Sequence, residues 1–259
     1  MASALIGGLL KRGFATAHIQ VVEINPESCA RLHQEYGVKA STDLASGVAH
    51  AKYIVLATKP QQMHELALQL APMLTGQLII SIAAGIRAHD LSRWLGTDNI
   101  VRAMPNTPAL IRSSITGLFA LPAVSAALRH DAQTIMAAVG NTLWLESETM
   151  MDSVTAVSGS GPAYIFYFIE AMQQAAVELG FNQQDARRLV IDTFMGATKL
   201  AEESTDDVSV LRARVTSKNG TTERAILSME SNQIQQHIIQ ALHAAAIRSA
   251  EMGTEMGAK

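Results

Sequence analysis

Residues 53–85, YIVLATKPQQMHELALQLAPMLTGQLIISIAAG, hold two apolar runs with a helical pattern between them. The runs at residues 53–57 and 78–82 are almost continuously apolar, which is typical of strands buried on both faces of a parallel sheet. Four residues between the runs recur at spacings of three and four, as one face of a helix does: Met63, Leu66, Leu70 and Met73. This order of strand, helix and strand predicts a βαβ unit.

The same alternation extends outward through the first 150 residues. Helical patterns at residues 27–36 and 88–95 separate further apolar runs, which predict four more strands at residues 19–24, 38–40, 100–103 and 142–146. The repeated alternation predicts an α/β fold with a doubly wound, Rossmann-type sheet that binds a dinucleotide. Ligands of such sheets bind beyond the carboxyl ends of the strands.

Three predicted strands end in loops that are rich in small residues and proline. These loops are TKP at residues 58–60, AAG at residues 83–85 and MPNTP at residues 104–108. Such residues let a backbone approach a flat or phosphorylated ligand closely, although ordinary turns use them too. Three such loops at strand ends favour a ligand site over three unrelated turns.

The chain opens in a predicted helix at residues 2–10, where a dinucleotide fold would have a strand and a glycine-rich turn. Gly7 and Gly8 lie inside this helix, and we interpret them as packing residues. After the first predicted strand, Glu23 could accept a ribose hydroxyl or be a solvated strand end. Asn25 could donate to a 2′-phosphate. The charge of Glu23 favours the unphosphorylated cofactor, whereas Asn25 leaves the phosphorylated one open.

From residue 151 onward the patterns are helical. The segment at 162–180 is apolar all round at its start, which predicts burial on several sides. Asn182 and Asp185 predict the capped start of a second helix, and helical patterns at 208–215 and 234–252 follow. We therefore predict two domains, a dinucleotide-binding domain at 1–150 and an all-helical dimerisation domain at 151–259.

Two loops in this half could carry chemistry. The segment VTSKNGTTE, residues 215–223, precedes a helix whose free N–H groups and dipole would suit a small carboxylate. The alternative is an ordinary capped helix with Thr221 or Thr222 as the cap. The glycine-rich segment SGSGP, residues 158–162, has no strand before it, and we interpret it as a hinge rather than a phosphate loop.

Composition excludes several classes of function. The 259 residues carry 20 Lys and Arg against 23 Asp and Glu, so no basic excess points to nucleic acid or an anionic membrane. The single cysteine, Cys29, is predicted to be a packing residue, and no Cys and His cluster predicts a metal site. No apolar run approaches the ~18 residues of a membrane span. We expect a cytoplasmic protein.

Five sequence strings together resemble the pyrroline-5-carboxylate reductases in order and spacing. They are ATKP at 57–60, SIAAG at 81–85, MPNTP at 104–108, SGSGPAY at 158–164 and VTSKNGTT at 215–222. The resemblance covers essentially the whole chain. It implies reduction of 1-pyrroline-5-carboxylate to L-proline, the last step of proline biosynthesis, with a hydride from NADPH or alternatively NADH. It also implies a homodimer formed through the helical domain, with dimers that can assemble into rings.

The resemblance also assigns site residues. Thr222 would be catalytic, its hydroxyl bonded to the ring nitrogen, and the substrate carboxylate would lie against Ser217, Asn219, Gly220 and Thr221. Together with Asn25, the expected cofactor contacts are Met1, Ala2, Ala57, Thr58, Lys59, Pro60, Ala84, Gly85, Pro105 and Asn106. No metal is expected.

The chain departs from the family pattern at three places. Lys218 and Asn219 replace the usual Pro and Gly, although Asn tolerates the left-handed backbone that the loop needs. Leu44 replaces an Asn, which weakens the case for 2′-phosphate recognition. Met1 and Ala2 resemble the Met-Ala that ends the glycine-rich turn, so the first strand and its glycines are not in this sequence. We expect weak cofactor binding as a result.

Two other functions fit parts of the pattern. A reductase of the hydroxyacid or ketopantoate type would need a catalytic lysine in its helical domain, for which Lys199 is the candidate. A non-catalytic dimer could instead bind proline or another carboxylate at residues 217–222 without turnover.

Overall fold

A computed structural model of the chain describes residues 1–258. They form two compact units: a sheet unit, Met1–Ser160 together with the residues from Ala245 onward, and a helical unit, Gly161–Ala244. The boundary therefore lies at residue 160 rather than 150, and the last residues belong with the sheet. The reason is packing, since Val154 contacts Gly117 and Ser249 donates a 2.7 Å hydrogen bond to Asp152.

The sheet unit alternates strands and helices along the chain. Its strands are β1 Gln20–Val22, β2 Lys39–Ser41, β3 Tyr53–Leu56, β4 Leu78–Ser81, β5 Ile100–Met104, β6 Ser114–Ala120 and β7 Gly140–Trp144. Its helices are α1 Ala2–Lys11, α2 Pro26–Tyr36, α3 Leu44–Val48, α4 Pro60–Leu70, α5 Ala88–Leu95, α6 Ala126–Met136 and α7 Met150–Val154. The predicted Rossmann-like α/β fold is confirmed.

The strands form two separate sheets in the described residues. β1 pairs with β2, and the second sheet has the order β3-β4-β5-β6-β7. All pairs are parallel except β5 with β6, which is antiparallel. The sequence did not predict β6, because its residues SITGLFA mix small and polar side chains with apolar ones.

The buried core confirms the βαβ unit that was predicted for residues 53–85. Leu78, Ile79 and Ile80 of β4 have no exposed surface, as strands covered on both faces require. The predicted face of α4 packs onto this sheet, with Met63 and Leu70 buried.

Helix α1 packs on both sheets. Leu5 joins the cluster of β4 and β5, where Tyr53 and Val55 also pack, whereas Ile6 packs with Val38 and with Val21 of β1. A doubly wound sheet places one more strand between the positions of β1 and β3. In residues 1–258 neither strand has a partner on that side.

The helical unit consists of α8 Gly161–Glu178, α9 Gln183–Glu203, α10 Val208–Arg214, α11 Thr221–Ser231 and the first part of α12 Ile234–Gly257. Asn182 caps α9 as predicted, because its Oδ1 accepts the N–H of Asp185 at 2.9 Å. The predicted burial of the start of α8 is wrong for the single chain, since Phe166 and Tyr167 are 65% and 71% exposed. Within residues 1–258, no helix is both long enough and apolar enough to cross a membrane.

Candidate active site

The loop after β3 presents a free helix N-terminus. Ala57, Thr58 and Lys59 are exposed, and Pro60 is the first residue of α4. Lys59 occupies the N-cap position, and its side chain does not bond the helix N–H groups. Uncapped N–H groups beside a lysine suit a phosphate. The predicted cofactor contacts in this loop therefore lie where a ligand could reach them.

Gly85 has a structural requirement of its own. Its φ is +71°, and a Cβ there would lie 3.2 Å from the Cβ of Met252 on α12. The positive φ of the turn and the close approach of α12 each require glycine at this position. The glycine is therefore explained by the fold and is not by itself a sign of a ligand. Its neighbour Ala84 is only half-buried.

The loop after β5 is tied to the end of the sheet unit. Pro105 and Asn106 are buried, and Asn106 Nδ2 donates to the backbone O and the Oγ of Ser158, both at 3.2 Å. Asn106 Oδ1 is buried and has no partner among the described residues. Ser158 belongs to a π-helical turn, Thr155–Gly159, directly before the boundary of the two units. Hydrogen bonds from Asn106 therefore hold Ser158, the first residue of the segment 158–162 that was predicted to be a hinge.

Asn25 has a structural function that the sequence analysis did not predict. Its Oδ1 accepts the N–H groups of Glu27 at 2.8 Å and Ser28 at 3.2 Å, so it caps α2. Its own N–H donates to Glu23 Oε1 at 3.0 Å. The amide oxygen is thus occupied, and the amide nitrogen is left to donate to a ligand. Cys29 is buried, which confirms it as a packing residue.

At the start of the chain, α1 begins at Ala2 with Met1 as its N-cap and no side-chain cap. Both residues are exposed. The N-termini of α1 and α4, Lys59 and the Asn25 amide therefore provide hydrogen-bond donors and positive charge in the sheet unit. This donor set fits the anionic groups of a dinucleotide.

The loop before α11 brings the predicted substrate residues together. Ser217, Asn219, Gly220, Thr221 and Thr222 lie in one turn that leads into the helix. Gly220 is the N-cap and offers no side-chain cap, so neither threonine caps α11, contrary to the alternative interpretation. Uncapped N–H groups in the first turn of a helix are donors that suit an anion.

Two backbone N–H groups of this loop are already bonded within it. The N–H of Gly220 donates to Ser217 O at 3.0 Å, and that of Asn219 donates to Glu223 Oε2 at 2.6 Å. The donors left for a carboxylate are the Ser217 hydroxyl and the N–H groups of Thr221 and Thr222. Asn219 has a φ of 60°, which confirms that asparagine sustains the left-handed backbone.

Neither Glu223 nor Ser158 had a predicted role in the site. A signal for Glu223 was present, because an acid at the third position of a helix can bond back to N–H groups before it. The candidate lysine of the alternative reductase, Lys199, is exposed on α9 and makes no hydrogen bond or ion pair with the described residues. Nothing in the structure activates it.

Two family models match the chain. Residues 148–252 match the model described as pyrroline-5-carboxylate reductase dimerisation. Residues 1–85 match the model described as NADP oxidoreductase, coenzyme F420-dependent. These matches fit a nucleotide-binding sheet unit and a dimerising helical unit.

Curated relatives and solved structures point to the same family as the dimerisation model. The pyrroline-5-carboxylate reductase of Pseudomonas aeruginosa is 45% identical over 99% of this chain and 95% of its own length. The pyrroline-5-carboxylate reductase of Haemophilus influenzae is 40% identical over 98% of this chain and 94% of its own length. The Coxiella burnetii structure has a TM-score of 0.92 at 38% identity, and covers 97% of this chain and 94% of its own. The Plasmodium falciparum structure with NADP bound has a TM-score of 0.87 at 26% identity, with coverage of 97% and 94%. The chain belongs to the pyrroline-5-carboxylate reductase family.

Proposed function

We propose that this chain reduces 1-pyrroline-5-carboxylate to L-proline with a hydride from NADPH. The single observation that carries the proposal is the turn Ser217–Thr222, in which hydroxyls and free N–H groups converge at the uncapped start of α11. A small carboxylate is the ligand that such a turn suits. The identity of the substrate is inferred from the family to which the chain belongs.

The helical unit holds the substrate. The Ser217 hydroxyl and the N–H groups of Thr221 and Thr222 bind the carboxylate, and the Thr222 hydroxyl bonds the ring nitrogen. A protonated imine is already electrophilic, so these residues need only position it. Positioning of well-oriented reactants is worth up to about 7–11 kcal/mol. When bound, NADPH supplies the hydride that reduces the imine carbon.

The sheet unit holds the cofactor. Lys59 and the first turns of α4 and α1 bind the phosphates, and Asn25 Nδ2 donates to the 2′-phosphate. Glu23 Oε1 accepts the Asn25 N–H, which reduces its availability to a ribose hydroxyl. This arrangement favours NADPH over NADH. The relative from Plasmodium falciparum was solved with NADP bound, which supports a nicotinamide dinucleotide as the cofactor.

The helical unit mediates homodimerisation. Its exposed apolar side chains include Tyr167 at 71%, Leu179 at 82% and Leu200 at 67% exposure. Apolar surface of this extent marks a protein interface. Dimers then assemble into rings. The reduced state of the one cysteine suits the cytoplasm.

A steady-state assay tests the function. The purified chain, given 1-pyrroline-5-carboxylate and NADPH, should consume NADPH and form proline, and Thr222→Ala should abolish turnover. Lys199→Met is the matched control and should retain activity. Loss of activity in Lys199→Met with full activity in Thr222→Ala would instead indicate a hydroxyacid-type reductase. Proline binding without turnover would indicate a binding protein.

A further inference from the structure

The turn before α11 contains a residue in an unfavourable backbone conformation. Asn219 has a φ of 60°, in the left-handed region that glycine adopts freely and other residues adopt at a cost. The turn is also tight at the next residue, because a Cβ at Gly220 would lie 2.5 Å from Ser217 Oγ and 3.0 Å from Ser217 O. An interaction that stabilises the left-handed conformation of Asn219 therefore helps to hold this turn.

Glu223 supplies that interaction. Its Oε2 accepts the backbone N–H of Asn219 at 2.6 Å, from a half-buried position in the first turn of α11. A charged acceptor makes this hydrogen bond stronger than a neutral one. In a capping box, the acid at this position bonds the N-cap N–H. Here it bonds the residue one earlier, so the bond fixes the turn as well as the helix end.

We propose that Glu223 is a positioning residue, which holds Asn219 left-handed and thereby keeps the carboxylate donors of residues 217–222 in place. The inference rests on the proposed function of this turn. Glu223 itself does not touch the substrate. Its negative charge lies next to the proposed carboxylate donors, and the same turn carries the positively charged, exposed Lys218.

The hydrogen bond and the charge of Glu223 can be separated by substitution. Glu223→Ala removes both and should raise the KM for 1-pyrroline-5-carboxylate about tenfold, the effect of losing one charge-assisted hydrogen bond. Glu223→Gln keeps an acceptor oxygen and removes the charge, so its KM should stay well below that of Glu223→Ala. The KM for NADPH should change far less, because the proposed cofactor loops belong to the sheet unit.

Two further variants distinguish positioning from general damage. Asn219→Gly, added to Glu223→Ala, should recover most of the lost affinity, because glycine adopts the left-handed conformation without help. Glu230→Ala is the matched control, since Glu230 is an exposed acid on the same helix. A KM for Glu223→Ala equal to that of the unsubstituted chain, or no recovery by Asn219→Gly, would overturn the proposal.

Amide hydrogen exchange at Asn219, followed by NMR, tests the same inference without activity. Exchange should be slow in the unsubstituted chain and in Glu223→Gln, and fast in Glu223→Ala. Equal rates in all three would overturn the positioning role whatever the kinetics. A chain that protects Asn219 but never turns over 1-pyrroline-5-carboxylate would refute the proposed function instead, so the two failures are distinct.

Discussion

Arg102 on β5, which is buried, and Glu148 before α7, which is half-buried, form an ion pair with Nη1 and Oε1 2.6 Å apart. The same carboxylate oxygen accepts the N–H of Ala88, the first residue of α5, at 2.6 Å. A negative charge there also favours the helix N-terminus. One carboxylate therefore ties the central sheet, α5 and the segment that leads to α7.

Glu148→Ala should destabilise the sheet unit by about 3–5 kcal/mol, because it leaves the Arg102 charge buried without a partner. Urea unfolding of the full chain measures this loss. Glu146→Ala is the matched control, since Glu146 is exposed two residues earlier, and it should change stability by about 0.5 kcal/mol or less. A loss below about 1 kcal/mol for Glu148→Ala would show that the pair is not structurally important.

Asp131 on α6 should make stability depend on acidic pH. Tyr53 Oη donates to its Oδ2 at 2.6 Å and Lys52 Nζ lies 3.5 Å away, and this hydrogen bond and charge lower the pKa of Asp131. Its contribution is therefore complete above the unfolded pKa of about 3.9 and is lost as pH falls through the lower folded pKa.

Asp131→Asn should flatten the fall in stability below about pH 4, since the amide cannot titrate. Urea midpoints at neutral pH and near pH 3 measure the slope. Asp192→Asn, on the exposed surface of α9, serves as the control. If stability fell equally with pH in Asp131→Asn and in the unsubstituted chain, the Asp131 carboxylate would not be a source of the pH dependence.

The position between β1 and β3 should accept a strand. An apolar strand of about five residues with a glycine-rich turn, joined ahead of Met1, should raise Tm and tighten NADPH binding. Each backbone group that becomes paired there is worth about 1–3 kcal/mol if it was buried and unsatisfied. An extension of the same length in Gly and Ser is the control. Equal Tm and equal NADPH affinity for both extensions would contradict the open position.

The apolar groove between α8 and α9 should be part of the dimer interface. Met172, Leu179, Phe181 and Leu189 line it. Light scattering should give a mass of at least twice 27.7 kDa, and Met172→Glu with Leu189→Glu should reduce it toward that of one chain. Gln174→Glu, on the same helix, should leave the mass unchanged. If the unsubstituted chain were a monomer, the groove would not be part of a dimer interface.

Much of this architecture could be predicted because local patterns determine it. The continuous apolar run of β4, the spacing of Met63 and Leu70, and the cap at Asn182 each follow from neighbouring residues, and the structure confirms them. Asn219 is similar, since its tolerance of a positive φ is a property of asparagine itself.

The rest depends on contacts between distant residues. The Ser160 boundary reflects packing of Val154 on Gly117, and β6 gains its place by antiparallel pairing with β5. Asn25 was predicted only as a cofactor contact, yet its Oδ1 caps α2. Asparagine is favoured both at helix N-caps and in binding loops, so its position in the sequence did not distinguish the two roles.

Transfer of deuterium tests the central claim most directly. The chain is incubated with 1-pyrroline-5-carboxylate and NADPH deuterated at both C4 positions, and proline is analysed by mass spectrometry. The account predicts proline with one deuterium on the former imine carbon, formed by the unsubstituted chain and not by Thr222→Ala. Absence of labelled proline, or equal labelling by Thr222→Ala, would contradict it.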